Sequence, residues 1–268
     1  SISPLKTFSI FTDAIKTENN ELILNYLSRN IQTIYWTFLN DQEQHNPQHS
    51  SESSIYKLLH DNLPVNLKKT IFNLYKSIAV SENGKDNLYK IWSKEKTIDN
   101  LFLNENDFTT LAMQLAIVNH PKATELLKAQ EKSISNPDRL QRFMWLLPSL
   151  SNNLETRNAF MKSLFDQKNR ANESWVQSAL RNIHHPLRQK NSIYFLKPIL
   201  EELEEVQLTG DIFFPKGWLA SSIGNYNSAE AYQILQEFLV ENPNLKPSLL
   251  QKLNQTTDNL VRAKKMKQ

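Results

Sequence analysis

Residues 136–167 read NPDRLQRFMWLLPSLSNNLETRNAFMKSLFDQ, and the fold class is legible there. Asn136-Pro137 is a helix start signal. A polar N-cap takes up an orphan backbone N–H, and a proline follows at the first helical position, where its missing N–H costs nothing. The spacing predicts a helix over 137–150 and a second over 154–167. Helices joined by so short a connection must be antiparallel neighbours, so the stretch is a helical hairpin.

Working outward, the same punctuation recurs. Helices are expected over 173–183, 187–207, 215–223, 229–240 and 247–262 on one side, and over 121–133 (behind His120-Pro121) and 107–119 on the other. Nearer the N-terminus, Ser3-Pro4 opens a helix to about residue 16. In 19–40, Leu22, Ile23, Tyr26, Leu27, Ile31, Ile34, Tyr35 and Phe38 recur at three- and four-residue steps. Shorter helices are expected at 55–60, 65–80 and 87–94, whereas the polar segment 41–54 reads as a loop. The predicted class is all-α: a right-handed superhelix of stacked antiparallel helix pairs, a HEAT- or armadillo-like α-solenoid of about 12–14 helices. It is expected as one domain over 1–268, with N-terminal helices in 1–100 and regular hairpin repeats in 101–268. No clean period is present, so the repeats are degenerate; an irregular helical bundle is the competing reading.

Composition narrows the function classes. The chain has four glycines among 268 residues, and Gly210, Gly217 and Gly224 lie close together. A sheet-rich chain of this size needs many glycine turns. The phosphate-cradling strings GxGxxG and GxxxxGK[ST] cannot be built from these glycines. Zero cysteines exclude disulfides, thiolate zinc sites and a cysteine nucleophile. The net charge of +3 argues against nucleic acid or an anionic membrane as partner, and no apolar run is long enough to span a bilayer. The chain opens Ser-Ile-Ser-Pro without an initiator Met or signal peptide, and so reads as a fragment of something longer, its compartment left open.

Few residues carry a chemical signal. His45 and His49 are four apart, but Asn46-Pro47 between them breaks the helical register a zinc pair needs. The acidic run Glu201, Glu202, Glu204 and Glu205 is interleaved with Leu200, Leu203 and Val206, the pattern of an amphipathic helix with a solvated face. The five tryptophans fall in apolar stripes and read as core. The densest polar cluster is Arg181, His184, His185 and Arg188 around Pro186, with Asn225 and Tyr226 after the last glycine. These six are the candidate substrate contacts. The plain alternative is an N-cap region in which one histidine caps the helix that follows; in the cluster reading the group faces a cavity, where Arg188 meets a carboxylate. No catalytic residue and no metal ligand is expected.

The stretch 175–262 carries a further pattern: His185-Pro186-Leu187-Arg188, the 200–207 helix, Gly210-Asp211-Ile212-Phe213-Phe214-Pro215 with Trp218, Phe238-Leu239 before Pro243, and Asp258-Asn259-Leu260-Val261-Arg262. Upstream, in the same order, stand Thr17-Glu18-Asn19, Ile34-Tyr35-Trp36, Leu88-Tyr89-Lys90-Ile91-Trp92, and Asp107-Phe108 with Leu111-Ala112. Together these resemble the C-terminal helical domain of the aminopeptidase N family of zinc metallopeptidases, firmly in the last third and loosely over the first 60 residues. The resemblance implies a HEAT-like cap over a catalytic domain that precedes it. That domain holds zinc on HExxH and grips the substrate amine with a GxMEN strand. Neither string occurs here, so no family catalytic residue carries over and the chain alone is expected to hold no cofactor and to be inactive. The partners implied are the catalytic domain of the same polypeptide and peptide substrates. The alternative reading is a free-standing helical-repeat scaffold that binds a protein partner.

Overall fold

The structure, a computed structural model, describes residues 2–44 and 51–266; His45 and His49 lie outside the described residues. Among those described there is no strand, and the all-α class stands. Two compact units follow one another, residues 1–134 and 135–268. The helices of 101–134, grouped by sequence with the C-terminal repeats, pack with the first unit.

The first unit contains α1 (Pro4–Ala14), α2 (Glu21–Thr33), α3 (Asp41–Gln44), α4 (Ser51–Leu58), α5 (Val65–Ile78), α6 (Glu82–Trp92), α7 (Glu105–Ile117) and α8 (Ala123–Ser133). Helices α2, α5 and α7 pack in one row; α1 sits on α2, α4 on α5, and α6 and α8 on α7. The second unit contains α9 (Pro137–Leu150), α10 (Leu154–Ser163), α11 (Glu173–Ile183), α12 (Leu196–Glu201), α13 (Leu203–Thr209), α14 (Phe214–Ser221), α15 (Ala229–Glu241) and α16 (Pro247–Met266). Here α9, α11, α14 and α16 form one row, and α10, the α12–α13 pair and α15 back it. Each unit is thus a row of packed helices backed by a second set, the two-layered arrangement of a solenoid.

Local chemistry explains most of the boundaries. Ser3, Asn20, Asn136, Asn153 and Ser228 each accept a backbone N–H from the first turn they precede. Asn104 and Asp107 close a reciprocal capping box at the start of α7. Leu200, Leu203 and Val206 are fully buried, as their spacing predicts.

Four expectations are corrected. The helix expected over 19–40 ends at Thr33 and continues as a π-helical turn, Ile34–Phe38, in which Leu39 donates back to the Ile34 carbonyl at 3.1 Å. The segment read as a loop starts as α3 and re-enters as α4, because Glu52 has a distant partner. Its carboxylate accepts from the backbone N–H of Val80 (3.1 Å) and Ser81 (3.2 Å) and from the Ser81 hydroxyl, holding the entry to α6. The helix expected over 187–207 is two 3-10 turns, Pro186–Asn191 and Ile193–Phe195, followed by α12 and α13. Pro186 and Pro198 cannot donate to a helical ladder, and the Ser192 hydroxyl donates to the Ile183 carbonyl (2.8 Å) across the gap. Finally, of the tryptophans only Trp218 is fully buried; the other four are half-buried.

Candidate functional site

The six candidate residues gather in the second unit, where α11 ends, the 3-10 turns begin and α14 gives way to a short 3-10 turn, Ile223–Asn225. Two contacts tie the ends together across long sequence separations. The His184 Nδ1 and the Tyr226 hydroxyl lie 2.8 Å apart, both side chains wholly buried. The Gln189 amide donates to the Asn225 carbonyl at 2.6 Å.

His184 is the most enclosed titratable group. Burial pushes its pKa from the usual 6.5 to about 3, so the ring is neutral. Its Nε2 is buried without a hydrogen-bond partner. Tyr226 is likewise driven up by burial, with Glu230 adding in the same sense. The pair is therefore a neutral hydrogen bond inside a core, not an acid–base couple open to a substrate. His185 is partly exposed; its Nδ1 accepts from the Leu187 N–H at 3.3 Å, so it caps the first 3-10 turn.

Arg188 is 3% exposed. It meets carbonyls: Nη1 donates to Ser149 (2.8 Å) and Asn182 (3.3 Å), and Nη2 to Leu150 (3.1 Å). The first and third are among the carbonyls left over at the end of α9, where a cation also complements the helix dipole. Arg157 approaches the same end and donates to the Ser151 carbonyl. Burial first, then the Arg157 charge, lowers the Arg188 pKa to about 9. Arg181 is exposed and donates to the hydroxyls of Ser221 (3.1 Å) and Ser178 (3.3 Å).

The structure thus brings five of the six to one joint: His184 with Tyr226, Gln189 with Asn225, and His185 and Arg188 between α9 and α11. Arg181 faces α14 instead. Sequence reasoning missed Ser149, which accepts from the Asn182 amide at 2.9 Å, and also Arg157, Gln189, Arg142 and Ser178. Local spacing does not mark Ser149, Gln189 or Arg142, whose partners are more than thirty residues away, nor single out the nearer contacts of Arg157 and Ser178.

A second cluster holds the α10–α13 side. The guanidinium of Arg170, 3% exposed, pairs with Glu205 and, at 3.7 Å, with Glu202. It also donates to the Leu164 carbonyl (3.2 Å) and lies 5.8 Å over the Trp218 ring. The acidic face is therefore partly engaged. Burial, then the neighbouring Glu205, raises the pKa of Glu202. The Trp218 indole donates to the Ile199 carbonyl at 3.0 Å.

Gly210 has a packing reason and no left-handed one: its φ is −107°. A Cβ there would lie 2.5 Å from the Phe214 ring and 2.9 Å from the Glu173 carboxylate, which accepts from the Asp211 N–H at 2.7 Å. The αL cap expected of glycine at a helix end is absent, and close approach takes its place.

No family model matches the chain, and no curated protein matches it. A catalytic zinc needs three protein ligands. Among the described residues no three His, Asp or Glu side chains come together to hold a metal ion, so these residues do not fit one. Nor is any described helix long and apolar enough to cross a membrane.

Proposed function

We propose that the chain is the C-terminal helical cap of a zinc aminopeptidase of the aminopeptidase N type. It closes a peptide chamber over a catalytic site carried by a preceding domain, and tunes which peptides enter. The observation that carries the reading is the ordered set of sequence motifs, densest over 175–262. What supports it is the use the fold makes of their residues. The His185-Pro186-Leu187-Arg188 string makes the joint between α9 and α11, and Gly210, Phe214 and Trp218 make the turn and core of α13 and α14. Residues spent on shape in this way suit a domain whose contribution is a rigid surface, with zinc and its chemistry lying elsewhere in the polypeptide. Lids of this kind control access and water exclusion.

Two experiments test it. The reading frame upstream of Ser1 is expected to encode HExxH followed by a further Glu; an upstream frame without it removes the reading. The separately produced catalytic domain, mixed with this chain, is expected to change its preference among peptides of different length. Identical kinetics with and without the chain remove the capping role.

A further inference from the structure

We propose that Arg142 and Arg181, with the Ser178 and Ser221 hydroxyls between them, form an oxyanion-binding site on the α9–α11–α14 row. The Ser178 Oγ is the centre. It donates to the Ser174 carbonyl at 2.9 Å and accepts from Arg142 Nη2 at 3.0 Å and Arg181 Nη2 at 3.3 Å. A hydroxyl has one hydrogen and two lone pairs, so it is saturated, and it brings no charge. Two guanidinium groups are therefore held within two hydrogen-bond lengths of each other around a neutral atom. The like charge has a visible effect: burial first, and Arg142 second, lower the Arg181 pKa.

Four other arginines of this unit have partners of their own. Arg170 has Glu202 and Glu205, Arg262 has Asp258 at 2.8 Å, and Arg157 and Arg188 lie on helix-end carbonyls. Among the described residues, neither Arg142 nor Arg181 has a carboxylate at ion-pair distance. The last turn of a helix favours a cation, which accounts for Arg181 at the end of α11 but not for Arg142 inside α9.

The surroundings are arranged for contact. Arg142 is half-buried and Arg181 exposed. Each guanidinium has five N–H donors in a planar fork, of which Arg142 spends one and Arg181 two on these hydroxyls. Gln177 lies one turn from Arg181 on α11. A Cβ on Gly217 would stand 2.3 Å from its amide nitrogen, so the glycine lets that amide lie against α14, one turn from Ser221. In the other direction Trp145 and Trp175, each one turn from the arginine–serine contact, meet at 5.8 Å and are half-buried. Such rings offer an apolar wall to an organic group that carries the anion. Paired forks with an aromatic neighbour are suited to carboxylate or phosphate oxygens; the shared chemistry is the oxyanion.

The site stands apart from the aminopeptidase reading, since its probes are the ions alone. The chain is titrated calorimetrically with inorganic phosphate, and separately with acetate and N-acetylglycine, at ionic strength held constant with sodium chloride. Saturable binding is expected. Arg142→Gln and Arg181→Gln should each weaken it about tenfold or more, the loss of a charge-assisted hydrogen bond, while Arg262→Gln leaves it unchanged. Phosphate alone binding assigns a tetrahedral oxyanion, and acetate or N-acetylglycine binding assigns carboxylates; either supports the site. No saturable binding to the wild-type chain overturns it, as does equal weakening by Arg262→Gln. Should Arg142→Gln fail to fold, Arg142→Lys keeps the charge without the fork. Wild-type affinity in that variant also overturns the proposal.

Discussion

The two units solve one problem with different cations. Residues 1–134 contain a single arginine, Arg29, whereas Arg139, Arg142, Arg157, Arg170, Arg181, Arg188 and Arg262 all lie after them. In the first unit the interior cations are lysines, each a point charge with few partners. Lys68, 1% exposed, donates to the Asp99 carbonyl at 2.7 Å and anchors the segment before α7. Lys69 pairs with Asp107 at 2.5 Å. Lys76 donates to the Thr110 hydroxyl at 3.0 Å, and burial brings its pKa down to about 8. In the second unit Arg188 binds three carbonyls at once, and Arg170 binds two carbonyls and pairs with two carboxylates, each joining separate elements. An ammonium is a point charge serving one or two groups, whereas the planar guanidinium fork reaches several groups at once. The first unit can therefore be loosened one contact at a time, while the second depends on a few shared knots.

Removing a knot is the strongest way to break that comparison. Arg188→Ala leaves three carbonyls, Ser149, Leu150 and Asn182, without this donor in a buried place. The expected loss is about 3–4 kcal/mol in urea unfolding of the second unit. Arg188→Lys should recover less than half of it, because one ammonium cannot span the fork. Full recovery by lysine would erase the proposed difference between the units.

Acid should find the second unit next. The His184 pKa is pushed from 6.5 to about 3, so the unfolded chain takes up a proton there that the folded chain refuses. Its contribution to stability is present above pH 6.5 and is lost as pH falls toward 3, about 1.4 kcal/mol per unit and about 2 kcal/mol by pH 5. His185 is lowered in the same direction by burial and by Arg188. Hydrogen exchange at pH 7 and pH 5 should show 135–266 losing protection first, and His184→Gln should reduce the slope, leaving the part due to His185. An unchanged slope would show that the acid response originates elsewhere.

The smallest effect is expected in the first unit. Lys68→Met keeps the length of the side chain and removes one charged donor from one carbonyl, so about 1 kcal/mol should be lost. A loss as large as that of Arg188→Ala would mean the two units are built alike. Between these extremes, Gly210→Ala should cost about 1–3 kcal/mol, since Phe214 and Glu173 must move to admit a methyl group; thermal unfolding measures it.

Much of the fold was legible because it is decided within a helical turn or two. The start signals Ser3-Pro4 and Asn136-Pro137, and the apolar stripe Leu200, Leu203 and Val206, stand where spacing put them. The start expected at His120-Pro121 arrives two residues later, after His120 has accepted the Lys122 N–H at 3.2 Å. The candidate site was legible as a cluster but not as a set of partners. Arg188 binds Ser149 and Leu150, close to forty residues back, and His184 meets Tyr226 more than forty residues on. The 187–207 stripe looked like one helix because periodicity registers which residues are apolar. It does not register whether Pro198 and the Ser192 hydroxyl will redirect the backbone.

By itself, then, the sequence determined the helical class, most of the caps and the buried stripes, all products of forces acting between residues three or four apart. The tertiary structure alone decided which carbonyls the arginines serve, why Gly210 must lack a side chain, and that Arg142 and Arg181 share one serine. Those depend on atoms brought together by packing, and packing has no period in the chain.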